Sequence, residues 1–309
     1  MASIFDDIKY SWHKGDITLR LIFINVGVFL ALTLLGIFGF FFQSPVKEAV
    51  IPWLAGTASP EGMLYKPWTL ITYMFMHIGL FHLLGNMIVL YFSGRIFADL
   101  LNARRMIAVY FLGGIAGFLA YFAAYNLFPV FAGSKSIIYG ASASVIAILV
   151  AIATYTPNLE LRLILLGNVK LKYIAIFFVL LDILFLDGSN SGGHIAHLGG
   201  AALGYGYSTA LKQGSDWSKG FWSVVGFFRE LIKPSPKMKV SKGSQKAARQ
   251  GSGSSAARSG ASGGSSPSAR KKAKEEQEKI DAILDKISQS GYDSLTKSEK
   301  EFLFKASKK

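Results

Sequence analysis

The chain has 309 residues, 51% of them apolar, with 33 Lys and Arg against 19 Asp and Glu, a formal net charge of +14 and a mean hydropathy of +0.37. Apolarity and strong basicity coexist only if they are segregated, and they are: nearly all the apolar mass precedes residue 213, while Ser, Gly, Lys and Arg dominate from about residue 234. The absence of cysteine excludes disulfides, thiolate metal sites and thiol nucleophiles, leaving Ser, His and carboxylates as candidate chemistry.

About 20 mostly polar residues precede the first apolar run, Leu21 to Phe42. That run is too long for a signal-peptide core and has no small-residue cleavage site, so it is expected to remain as a membrane anchor. Five further runs follow: Leu80 to Phe97, Met106 to Phe128, Gly140 to Tyr155, Tyr173 to Leu186 and Gly193 to Leu211. A bilayer core of about 30 Å takes roughly 20 apolar residues per helix, and shorter spans suit helices surrounded by protein. The expectation is an all-α polytopic membrane protein with a six-transmembrane-helix bundle over residues 1–213.

Lys and Arg alternate between the connecting segments, and the sixth run exits into a strongly basic tail. Both termini are therefore expected in the cytoplasm, with the active end near the outer face, and the membrane expected is a bacterial inner membrane. Residues 43 to 79 form a long outer segment with Trp53 and Trp68 as interfacial anchors. Residues 214–233 read as an amphipathic interfacial helix, either on the inner leaflet or packed on the bundle. Residues 234–270 form a disordered basic linker. Residues 271–309 read as a small cytoplasmic helical hairpin, with Ile280, Ile283, Leu284 and Ile287 at helical spacing and Thr296 with Glu299 as a capping box.

Polar groups at membrane depth are costly, so each is a site hypothesis. His77 and His82 flank the start of the second run, His194 and His197 the start of the sixth, and Ser142 opens the fourth. Asn86 stands one helical turn after His82 on the same face. With the alternating orientation, the second, fourth and sixth helices begin at one depth. A hydroxyl, imidazoles and a carboxamide then share a level, which is the inventory for acyl transfer: nucleophile, general base and oxyanion donor. Ala143, Ala147 and Ala151 on the fourth run and Ala196, Gly200 and Gly204 on the sixth recur every four residues, the small-residue spacing that lets membrane helices approach closely. Alone, Ser142 would read as a packing residue bonded to a carbonyl one turn back, and His197 as a helix-end imidazole; the coincidence of the three clusters favours the catalytic reading.

The stretches His77-Ile-Gly-Leu-Phe-His82-Leu-Leu-Gly-Asn86, Tyr139-Gly140-Ala141-Ser142-Ala143 and Ala196-His197-Leu198-Gly199-Gly200 resemble, in order, three signature stretches of rhomboid proteases. The resemblance covers roughly residues 60 to 210. It implies a rhomboid-like fold and an intramembrane serine endopeptidase. It further implies that Ser142 is the nucleophile and His197 the general base, a dyad without a carboxylate, with His82, Asn86 and the backbone N–H of Ser142 around the oxyanion. Asp187, at the end of the fifth run, is the nearest carboxylate and is given no role. His77 and His194 are expected in structural or interfacial duty. The sequence departs from the commonest pattern at Ala143, where glycine is usual, at Ile146, where an aromatic is frequent, and at Trp68-Thr69, where Trp-Arg is usual.

Implied partners are single-span or other membrane-protein substrates and the lipid bilayer, with no nucleic acid and no cofactor. An imidazole acts as base only when neutral, so activity is expected to fall below about pH 6. The two competing readings are a catalytically inactive rhomboid-like scaffold that binds membrane clients and a metal or haem protein built on the four membrane histidines.

Overall fold

Asp16 starts the first helix, its carboxylate accepting from the N–H groups of Thr18 and Leu19 and so satisfying donors that a helix start leaves unpaired. A computed structural model describes residues 16–163, 167–232, 279–283, 285–287 and 294–306. In it, α1 (Ile17–Phe41) is followed by α2 (Val46–Leu54), β1 (Gly56–Thr57), α3 (Pro60–Tyr65) and α4 (Thr69–Thr72). Then come α5 (Leu80–Leu101), α6 (Ala103–Leu127), β2 (Ile137–Ile138), α7 (Ser142–Tyr155), β3 (Glu160–Leu163), β4 (Gly167–Lys170), α8 (Leu171–Leu184), α9 (Ser191–Lys212) and α10 (Trp217–Ile232). The helices α1, α5 and α6 are each long and apolar enough to cross a membrane, and α7 is a shorter apolar helix.

The wholly helical expectation is corrected in detail. The segment after α2 and the segment before α7 pair as an antiparallel ribbon, Gly56 opposite Ile138 and Thr57 opposite Ile137, and β3 pairs with β4. These strands of two to four residues are too short to leave a periodic signature. The first pairing ties the long segment 43–79 to the loop that delivers Ser142. Within that segment Trp53 and Trp68 stack with centroids 6.0 Å apart, and the Trp68 indole N–H donates to the Trp53 carbonyl at 2.8 Å, so the two anchors act as one exposed aromatic unit.

The core is centred on α7, which is buried continuously from Ala143 to Ala153. It lies against α9 in parallel register. A Cβ built on Gly200 would collide with the Ala143 carbonyl oxygen and one on Gly204 with that of Ala147, and the Ser208 hydroxyl donates to the Ala151 carbonyl at 2.6 Å. The three contacts keep one offset, which only parallel helices in close contact permit, and the small residues make the approach possible.

The amphipathic helix α10 packs on the bundle through its first half. Asp216 pairs with Arg105 at 2.9 Å, the Trp222 indole N–H donates to the Arg104 carbonyl, and Phe221 stacks on Phe111. Its later apolar residues Val224, Phe227, Phe228 and Leu231 are exposed, which suits a helix lying against lipid.

The chain divides into two compact units, Met1–Pro236 and Lys237–Lys309. The expected linker at 234–270 and residues 1–15 lie outside the described residues. In the second unit, residues 279–283 and 285–287 are helical and α11 spans Lys297–Ala306. Its capping box is reciprocal: the Thr296 N–H donates to the Glu299 carboxylate at 2.7 Å and the Glu299 N–H to the Thr296 hydroxyl at 3.4 Å. These bonds, with the Lys286 ammonium, hold the Glu299 carboxyl down at about 2.

Candidate active site

Ser142 is the first residue of α7 because the chain before it turns sharply. Gly140 has φ +126°, a conformation open to glycine and strained for other residues, and its N–H donates to the Tyr73 carbonyl at 2.9 Å. A Cβ there would also meet the His82 ring at 2.8 Å. The Ala141 N–H points to Nε2 of the fully buried His77 at 3.4 Å, so this histidine fixes the approach to the serine.

His197 stands near the start of α9, and its Nε2 is 2.6 Å from the Ser142 hydroxyl oxygen. That is within the 2.6 to 3.2 Å required of a nucleophile and its base. The parallel register of α7 and α9 is what brings two helix starts to one level. His82 shares two cavities with this pair. One, of about 500 Å³, is lined by Tyr139, Gly140, Asn190 and the side chains of His82, Ser142 and His197. The other, of about 390 Å³ and nearly all apolar, lies between α5 and α8 and includes Phe81, Ile146, Phe178 and Phe185.

Asn86 is buried and lines only the apolar cavity. Its amide donates to the His82 carbonyl one turn earlier at 2.9 Å. A carboxamide carries two N–H donors, so this bond leaves one for a ligand. All four expected residues therefore lie around one centre, with His82 presented to both cavities and Asn86 to one.

The carboxylate was misjudged. Asp187 is exposed in the turn after α8, whereas Asp182, a turn inside that helix, is buried and presents Oδ1 2.7 Å from Nδ1 of His197. The same oxygen lies 2.8 Å from Nδ1 of His194. The signal was in the sequence: Leu171, Ala175 and Asp182 share the face of α8 turned to the bundle, and Asp182 is the one charge inside that apolar run. His77 and His82, five residues apart, would not share one face of a single helix, yet they meet. Their ring centroids are 5.1 Å apart, because His77 sits in the turn before α5 rather than on the helix.

Donor atoms of Asp182, His194 and His197 lie within 4.8 Å of one another, the grouping among the described residues with metal-ligand composition. Two ligand atoms on a tetrahedral ion at about 2.0–2.1 Å stand roughly 3.3 Å apart. The nitrogen–oxygen separations of 2.7 and 2.8 Å fit hydrogen bonds instead.

A hydroxyl and an imidazole joined across two close-packed helices, both lining a polar cavity, give this helical membrane protein the side-chain arrangement that a serine-type hydrolytic centre requires. Residues 65–214 match the Rhomboid domain model, so this stretch of the chain is a rhomboid domain. It is similar to the rat presenilin-associated rhomboid-like protein, mitochondrial, with 32% identity over 50% of this chain and 40% of that protein. It is also similar to rhomboid-related protein 1 of Caenorhabditis elegans (27%; 64% and 57%) and to RHOMBOID-like protein 12, mitochondrial, of Arabidopsis thaliana (31%; 62% and 58%). The chain thus spans about two-fifths of the first of these relatives. Residues 269–309 match a second family model, of unknown function.

Proposed function

We propose that this chain is an intramembrane serine endopeptidase that cleaves membrane-protein substrates within or beside their transmembrane segments. The observation that carries the reading is the 2.6 Å contact between the Ser142 hydroxyl and His197 Nε2. In this scheme His197 removes the hydroxyl proton as Ser142 attacks the scissile carbonyl carbon. The new oxyanion takes hydrogen bonds from His82, Asn86 and the Ser142 N–H, the last reinforced by the positive end of α7. His197 then returns the proton to the leaving amine, and a water repeats the sequence on the acyl-enzyme.

Six crossings are part of the same proposal. Beyond the three long apolar helices, α7 and α8 have 14 residues each and α9 has 22. Packed spans of this length can cross where neighbouring protein, not lipid, surrounds them. The apolar cavity between α5 and α8 offers a substrate segment a route from lipid to Ser142, with the large polar cavity supplying water. Both termini cytoplasmic and a bacterial inner membrane complete the proposal; the mitochondrial relatives share the membrane setting but carry a different compartment in their names.

The test is incubation of the purified full chain in detergent with a single-span substrate and with a fluorophosphonate probe, beside Ser142→Ala and His197→Ala. Labelling and cleavage by the parent protein alone are expected. Cleavage retained by Ser142→Ala would refute the mechanism, and absence of labelling in the parent would leave the scaffold reading in its place.

A further inference from the structure

We infer that Asp182 is a positioning residue for the catalytic imidazole, so that the centre works as Ser142–His197–Asp182 with His194 bracing the carboxylate. This rests on the proposed protease reading. The argument begins with proton inventory. An ionised carboxylate oxygen only accepts, so the 2.7 Å contact requires the hydrogen of neutral His197 to reside on Nδ1. The lone pair is then on Nε2, the atom 2.6 Å from the Ser142 hydroxyl. The tautomer that can act as base is thus selected by Asp182. Without it, Nδ1–H and Nε2–H forms compete, and the latter cannot take the serine proton.

His194 donates from its own Nδ1 to the same oxygen at 2.8 Å. It stands one turn before His197 on α9, with the two rings nearly perpendicular, so both donors reach Oδ1 from one helix. Oδ2 is buried and has no partner among the described residues, so the fixation of this carboxylate runs through Oδ1. The Asp182 side chain is 7% exposed against 17% for His197. An acid so placed in an apolar helix is costly unless used, and here it would also stabilise the imidazolium that forms when Ser142 is deprotonated. A purely structural alternative exists, in which Asp182 only ties α8 to α9, and the experiment must separate the two.

The full chain in micelles is compared with Asp182→Asn, Asp182→Ala, His194→Ala and Ser142→Ala for fluorophosphonate labelling rate, kcat, KM and thermal midpoint. The tautomer of His197 is read by nitrogen NMR of imidazole-labelled protein, assigned with His197→Ala. The parent is expected to show His197 protonated on Nδ1. Asp182→Asn is expected to lower labelling rate and kcat by about 100- to 10,000-fold with KM nearly constant, and to shift the tautomer. His194→Ala should cost about fivefold, the worth of one bracing hydrogen bond. An Nε2-protonated His197 in the parent overturns the proposal whether or not any variant folds. So does a loss in Asp182→Asn that follows its thermal midpoint while the tautomer stays unchanged, or no loss at all. A parent that does not label, or a labelled Ser142→Ala, instead defeats the protease reading and leaves the tautomer result to judge Asp182 by itself.

Discussion

Gly200→Ala tests whether the parallel contact between α7 and α9 sets the reacting distance. A Cβ on Gly200 falls on the Ala143 carbonyl oxygen, closer than the 3.0 Å that real Cβ atoms respect, and ordinary contact begins at 3.4 Å. The obstacle is backbone at the first turn of α7, so no side-chain rotation relieves it and the helices must separate by roughly 1 Å, a displacement that costs about 100-fold in rate when it falls on reacting groups. Gly200 lies one turn from His197 and Ala143 next to Ser142, so the separation is applied at the pair itself. Their 2.6 Å contact would open beyond the roughly 3.2 Å limit of a sound hydrogen bond. Overpacking of this kind costs about 1–3 kcal/mol of stability. The assay is kcat on a single-span substrate and probe labelling, each beside a thermal melt. Gly204→Ala makes the same collision one turn further from the serine, at the Ala147 carbonyl, and should destabilise similarly while costing less rate. Gly27→Ala, where a Cβ meets nothing within 4 Å, is the neutral control. Parental rates in Gly200→Ala would show that the small-residue ladder packs the helices without setting the chemistry.

His82→Ala and Asn86→Ala are each expected to lower kcat by about 100- to 1000-fold with little change in KM, the signature of a donor used mainly in the transition state. A change in KM alone would assign them to substrate binding. Gly140→Ala combines a strained backbone with a clash against His82 and should cost about 1–3 kcal/mol together with most of the activity, read by melting and labelling. At the other end of the bundle, burial pushes the Asp216 carboxyl up, but hydrogen bonds from Ser218 and Arg105 outweigh it and hold the group below its ordinary value. A lowered native value means that the docking of α10 gains stability above the ordinary carboxyl range and loses it as pH falls through the native value. Asp216→Asn should reproduce that loss at neutral pH as a red shift in Trp217 and Trp222 emission, and unchanged emission would refute the assignment.

Much of the membrane domain was legible because lipid imposes a simple grammar. Apolar runs of sufficient length locate α1, α5 and α6, and a polar side chain inside such a run announces itself, as Ser142 and His197 did. The four-residue spacing of Ala143, Ala147 and Ala151 against Gly200 and Gly204 named the contact that the helices make, and the alternating orientation its parallel direction, though not the offset that sets Gly200 against Ala143. What was not legible depends on which face a helix turns inward. The ribbon of β1 and β2 escaped because hydrogen bonding between segments some 80 residues apart leaves no local period, as Gly56 and Ile138 illustrate, and β3 with β4 because four residues per strand are too few to show one.

Asp182 is the more instructive miss. Sequence proximity to a helix end drew attention to Asp187, yet a residue at a helix end is free to point at water, and this one does. Asp182 has no such freedom, because α8 carries it one turn inside an apolar segment where the cost of an unpaired charge is highest. Charge at that depth persists only against partners, and the sequence held two unassigned candidates, the Nδ1 atoms of His194 and His197. Had the cost of burial been weighed above nearness in the chain, the same argument that singled out Ser142 would have singled out this carboxylate. The proton that it holds on Nδ1 of His197 leaves the lone pair on the nitrogen that faces the serine.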